Sequence, residues 1–273
     1  MLSLLSLAPI FKAFIALILS GISFPLCGVM ILRLDLVPLR YALMHGVILG
    51  GAIALALNFS PLLVIILVNL FIVFLIIKIP TTNSFSSAAA MVFSMGLASL
   101  LMHTCNVPSK DSLQLLWGSP FALSYFDIIT LAVLTISILV FLYFNFNKVL
   151  SIFFDKSIAT SLGINVDFYY NFMIVIIALC VALAMRLIGA LLIDALLILP
   201  VLIASRLCKG TKSLFILSSI TGLILALSGF FTTLYTDFPL SATIAIIAVL
   251  IYSVISILKY KINRGKNEKN IIN

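Results

Sequence analysis

The chain has 273 residues, 64% of them hydrophobic and only 9% charged, with a mean hydropathy of +1.34. A soluble domain carries about 25% charged residues, so this composition excludes water-soluble enzymes, disordered regulators and disulfide scaffolds, and it defines an integral membrane protein. The net charge of +8, sixteen Lys and Arg against eight Asp and Glu, is then a statement about membrane topology and not about nucleic acid.

One crossing takes about 20 apolar residues, which predicts spans at 10–31, 42–57, 61–77, 86–104, 124–147, 168–184, 187–206, 213–231 and 241–258. Unbroken runs such as Pro61 to Ile77 exclude an outer-membrane barrel, whose strands alternate polar and apolar residues. The first charge is Lys12, so the opening run lacks the basic start of a cleavable signal and reads as a retained span. With the C-terminus inside, thirteen cations fall on the cytoplasmic side: Arg33, Arg40, Lys78, Lys148, Lys156, Arg206, Lys209, Lys212 and, in the tail, Lys259, Lys261, Arg264, Lys266 and Lys269. Only Lys12, Lys110 and Arg186 fall outside, an asymmetry that predicts an external N-terminus and a cytoplasmic C-terminus. The stretch from Met173 to Cys208 also reads as one span plus a broken or re-entrant helix, which leaves eight or ten helices open beside nine. The expected fold is an all-α polytopic bundle of about 8–9 transmembrane helices over residues 1–260, followed by a solvated, disordered basic tail over 261–273.

Cys27, Cys105, Cys180 and Cys208 stand singly, without a pair that reads as a metal clip or redox motif. The sequence has no G-x-x-x-x-G-K-[ST] loop, so energy from ATP would have to come from a partner chain.

An ionisable group inside a span costs a few kcal/mol on insertion scales, so each is a candidate for function. His45 lies one helical turn after Tyr41, on the same face. It reads either as a metal ligand or gate, since neutral imidazole binds transition metals, or as an imidazole bonded to a nearby carbonyl. Asp194 has no cation one turn away and must be protonated, face a wet cavity or find its partner on another helix. Arg186 reads as a snorkelling anchor at the outer end of its helix. Phe154, Ile158 and Leu162, spaced i, i+4, i+8 between Asp155 and Gly163, predict a short amphipathic helix on the cytoplasmic side, lying on lipid or fitting a partner. Pro25, Pro200 and Pro239 mark kinks in or beside spans. On these residues alone the chain is a polytopic transporter or channel-like protein, and an ion-coupled carrier using Asp194 and His45 as a proton relay fits them too.

Several stretches resemble one family, the permease subunits of bacterial ABC importers for zinc, manganese and iron, of the cobalamin-importer-like (type II) class. Residues 187–200, LIGALLIDALLILP, are similar to its V-G-A-L-L-x-x-A-L-L-I-x-P-A pattern. Val92 to Gly96, Leu116 to Ser119 and Asp237 to Ile244 resemble its further motifs, and Asp155 to Gly163 resembles its D-P-x-x-A-x-x-x-G loop, which docks on the ATPase. In the family's D-A-x-x-H-A-x-x-x-G span this chain keeps His45 and Gly50 but has Tyr41 in place of the acid. In the family that Asp and His, paired across a homodimer, resemble a metal-coordinating gate.

The resemblance implies a metal-importer permease in the bacterial inner membrane, with no enzymatic activity and no permanently bound cofactor. Its partners would be a second permease copy, cytoplasmic ATPase subunits, an extracytoplasmic metal-binding protein and lipid. His45, Tyr41 and Asp194 are the expected pathway residues, with Asp194 standing where relatives carry a small or apolar residue. Asp155, Ile158, Ala159, Leu162 and Gly163 form the expected ATPase-coupling loop, in which small Ala159 is expected to seat closely in the ATPase groove. The missing acid also admits an ABC permease for a non-metal or chelated-metal ligand.

Overall fold

The computed structural model describes residues 8–78, 83–105 and 120–272. Its helices are α1 (Ala8–Arg33), α2 (Val37–Leu57), α3 (Pro61–Lys78), α4 (Asn83–Thr104), α5 (Tyr125–Phe154), α6 (Lys156–Ser161), α7 (Val166–Ile188), α8 (Ala190–Leu197), α9 (Leu199–Leu207), α10 (Thr211–Thr236) and α11 (Leu240–Ile272). Counting α8 and α9 together, nine helical stretches among the described residues are long and apolar enough to cross a membrane. All but one of the expected spans fall on single helices. The motif from Leu116 to Ser119 and the external Lys110 lie outside the described residues.

The exception is the span expected over 187–206, because its first two residues belong to α7. The chain breaks at Gly189, whose φ of +100° only glycine adopts without strain. Its N–H reaches the carbonyls of Ala184 and Met185 at 3.3 and 3.0 Å, closing α7, and α8 starts at the next residue. The crossing that follows is broken again between Leu197 and Leu199. Pro200 lies in the first turn of α9, has no N–H to give, and its ring would strike the carbonyl of Leu196 in a continuous helix. At the other end of the chain, α11 runs on from its span through the basic tail to Ile272. Extending an existing helix avoids the nucleation cost that a free polar segment would meet.

The most buried helices are α1 and α7. The first packs on α10, α5 and α8, and the second on α3, α2 and α5. Lipid is as apolar as these side chains, so close approach and interhelical hydrogen bonds must hold the helices together. Pro25 gives no N–H to the carbonyl of Gly21, and α10 fits there through Gly222, where a methyl group would lie 2.4 Å from that oxygen. The Ser219 hydroxyl of α10 donates to the Ile22 carbonyl at 3.0 Å, and Thr135 of α5 donates to Ser23 at 3.2 Å. The peripheral helices α3, α4, α5 and α11 leave Phe71, Phe93, Val133 and Val249 exposed, as lipid contact requires.

Cations gather at one rim. Lys148 donates to the Tyr169 hydroxyl at 2.6 Å, Lys156 stands 4.0 Å over the Tyr170 ring, Lys259 donates to the Arg206 carbonyl, and Arg33 and Lys212 line one cavity of about 500 Å³. At the opposite rim Lys12 lies 4.0 Å over Tyr125.

Candidate functional site

Helix α2 opens with Pro38 in its first turn, and the residues that follow divide between two faces. Ala42, Leu43 and Met44 are buried, whereas Tyr41 is 43% exposed and His45 is partly exposed beside it. The His45 Nδ1 lies 2.8 Å from the Tyr41 carbonyl. A carbonyl only accepts, so Nδ1 carries the proton and donates, and the Nε2 lone pair of the neutral ring is free to bind a metal. The carbonyl bond that the sequence offered as one of two readings of His45 is present.

Asp194, on α8, has its partner on another helix: it forms an ion pair with Arg40 of α2. Arg40 is only 4% exposed, while 41% of the Asp194 side chain is open. The Arg40 guanidinium also lies 4.4 Å over the Tyr41 ring. Asp194, Arg40, Tyr41 and His45 therefore make one continuous polar strip from α8 to α2. Arg40 was not among the residues expected to form the site, because its place near a span edge put it with the cytoplasmic loop cations. Two signals pointed to it: it precedes Tyr41 directly, and Asp194 needed a cation from elsewhere.

Helix α8 packs on α11, α1 and α7. A methyl group on Gly28 would fall 1.8 Å from the Leu197 carbonyl oxygen, so α1 backs directly onto the break between α8 and α9. Among the described residues no three or more His, Cys, Asp and Glu side chains gather into a closed metal set.

Arg186, expected to be a snorkelling anchor, has an acidic partner instead. Its Nη1 lies 3.7 Å from Asp127 Oδ1, and its side chain is only 26% exposed. Asp127 is held at the start of α5 by Ser124, whose N–H and hydroxyl donate to it at 2.9 and 2.7 Å. The pair therefore ties α5 to α7.

The expected coupling loop is a helix, α6. Asp155 caps it, accepting from the N–H groups of Ser157 and Ile158 at 2.7 and 3.0 Å and from the Ser157 hydroxyl. These bonds, the Ser157 hydroxyl foremost, hold the Asp155 carboxyl below its ordinary value. Gly163 ends the turn at φ +76°, donating to Thr160 at 2.9 Å while Ile164 donates to Ala159 at 3.1 Å. Phe154, Ile158 and Leu162 all face outward, forming an exposed apolar stripe. Ala159 faces the other way and is fully buried within this chain, where α6 meets α5 and α7. Its small size serves that internal contact, so the side chains offered outward are those of the stripe.

Among the described residues nine helical stretches are long and apolar enough to cross a membrane, and the Arg40–Asp194 pair joins two of them, the build of a polytopic membrane protein. Residues 6–259 match the ABC 3 transport family, and the chain belongs to it. It is 25% identical over 250 residues to the high-affinity zinc uptake system membrane protein ZnuB of Haemophilus influenzae, covering 89% of this chain and 94% of that protein. It is 26% identical over 247 residues to the manganese import system permease protein ScaB of Streptococcus gordonii, covering 89% and 88%. The fold matches that in the structure of PsaBC from Streptococcus pneumoniae in complex with Fab, with a TM-score of 0.80 at 23% identity, over 93% of this chain and 92% of that one.

Proposed function

We propose that this chain is the membrane-spanning subunit of an ATP-driven importer and that it forms the path of a divalent metal ion, zinc, manganese or iron, as one of two permease copies. The observation that carries this reading is His45, whose Nε2 is free on the open face of α2. Membership of the ABC 3 transport family and the zinc and manganese transport named for its relatives support it.

In this reading an external binding protein delivers the ion, and it passes between the two copies in contact with His45 and its symmetry mate. The rim where Arg33, Lys148, Lys156 and Lys212 gather faces the cytoplasm, with the C-terminal helix ending there. The α6 stripe docks on a separate ATPase subunit, where ATP is hydrolysed. Tyr41 in place of a carboxylate leaves the path less negative than an Asp and His pair would, so the metal is held weakly and released readily.

His45→Ala tests this in the assembled transporter. Uptake of radioactive zinc or manganese should fall at least about tenfold, the size expected when 1.4 kcal/mol or more of metal contact is lost, while the complex with the ATPase still forms. Unchanged uptake of both metals would overturn the metal path.

A further inference from the structure

Arg40 has no part in the function proposed above, yet it joins the two ends of the polar strip. It is 4% exposed, so it is not a cation snorkelling to water, and Asp194 is its carboxylate partner across 154 residues of sequence. The contact is one-handed. Arg40 Nη1 meets Asp194 Oδ1, while Arg40 Nε is buried without a hydrogen-bond partner among the described residues. Arginine grips a carboxylate most firmly with two parallel bonds, which this pair does not make. Among the described residues no hydrogen bond engages the second oxygen of Asp194, and 41% of the side chain stays open. The guanidinium has a second resting place already in contact, the face of Tyr41 at 4.4 Å.

We infer that Arg40 is an intramolecular competitor for the pathway carboxylate, a counter-cation that neutralises Asp194 until a divalent metal ion displaces it onto the Tyr41 ring. The inference rests on the proposed metal path. A lone carboxylate within a span is costly, and a permanently free one would also trap a divalent ion. Arg40 removes both problems: it neutralises Asp194 in the empty path and it returns when the ion leaves. Tyr41 then has a use of its own as the ring that receives the displaced guanidinium. Arg40 is accordingly a positioning residue that acts through Asp194, without itself touching the metal.

The test is equilibrium binding of Zn²⁺ to the detergent-purified permease and ATPase complex, with uptake measured alongside. Arg40→Gln should bind Zn²⁺ at least tenfold more tightly and release it more slowly. Arg40→Lys, which restores the charge, should stay near the unsubstituted protein. The gain should vanish in Arg40→Gln/Asp194→Asn, because the freed carboxylate is then gone. Unchanged binding in Arg40→Gln, or a gain that survives in the double variant, would overturn the inference. Should Arg40→Gln alone fail to assemble, Asp194→Asn decides. It leaves an unpaired cation beside the path, so it should transport less than the uncharged double variant, and equal transport would overturn the competitor role. His45→Ala in the same preparation separates the two levels. Loss of binding there with no gain in Arg40→Gln rejects only the competitor, whereas full binding and uptake in His45→Ala reject the metal path itself.

Discussion

The strip from Asp194 to His45 and the α6 segment both depend on a carboxylate, but the partners of the two carboxylates lie at very different distances along the chain. Asp194 meets Arg40 across 154 residues, on a separate helix, with α1 backed closely onto the α8–α9 break. Asp155 meets Ser157 and Ile158, two and three residues on, and α6 closes again through bonds from Gly163 and Ile164 to residues within the same turn. The strip is thus a product of helix docking, and a change in one helix contact should reach its chemistry. The α6 helix is a local unit that presents a stripe, and changes there should alter presentation and leave the bundle alone.

The largest expected effect breaks the docking side of this contrast. Gly28→Ala places a methyl group where the Leu197 carbonyl stands, and since both are backbone-anchored α1 must move away from α8. Overpacking of this kind costs about 3 kcal/mol. The purified protein should melt several degrees lower, and zinc uptake should fall as Asp194 is carried off Arg40. Melting equal to that of the unsubstituted protein would show that the α1 contact does not set the position of α8.

A smaller effect sharpens the other side. Ile158 is 47% exposed, so Ile158→Glu should leave thermal stability within about 0.5 kcal/mol. If the stripe docks on the ATPase, the charge should weaken recovery of the ATPase in co-purification by about tenfold, the loss expected for one central interface residue. A drop in melting with normal ATPase recovery would reverse the assignment and make the stripe part of the fold.

The smallest effect concerns the cap. The Asp155 carboxyl titrates lower in the folded chain than it would unfolded, because its charged form accepts the Ser157 hydroxyl and two N–H groups. Its contribution is therefore complete above the ordinary carboxylate value, about 3.9, and is lost as pH falls through the lower folded value. Hydrogen exchange at the Ser157 and Ile158 amides should keep the same protection from pH 8 to pH 5, once corrected for intrinsic rates, and should speed up at neutral pH in Asp155→Ala. Protection that fades between pH 7 and pH 5 would mean that a group other than Asp155 holds the cap.

The sequence by itself determined what depends on length, composition and near neighbours. Apolar runs of about 20 residues can only be helices that cross, because lipid satisfies no backbone groups, and the nine expected stretches lie on helices with boundaries moved by a few residues. The α6 helix was legible for the same reason, since its cap at Asp155, its outward stripe and its Gly163 stop are all written within ten residues. The tertiary structure alone decided which groups meet. Hydropathy gave no sign that Arg40 would turn inward to Asp194, that Arg186 would face Asp127, or that Ala159 would be buried against its own chain. A charge near a span edge is equally at home in water or against a counter-charge, and only the docking of distant helices brings the counter-charge within reach.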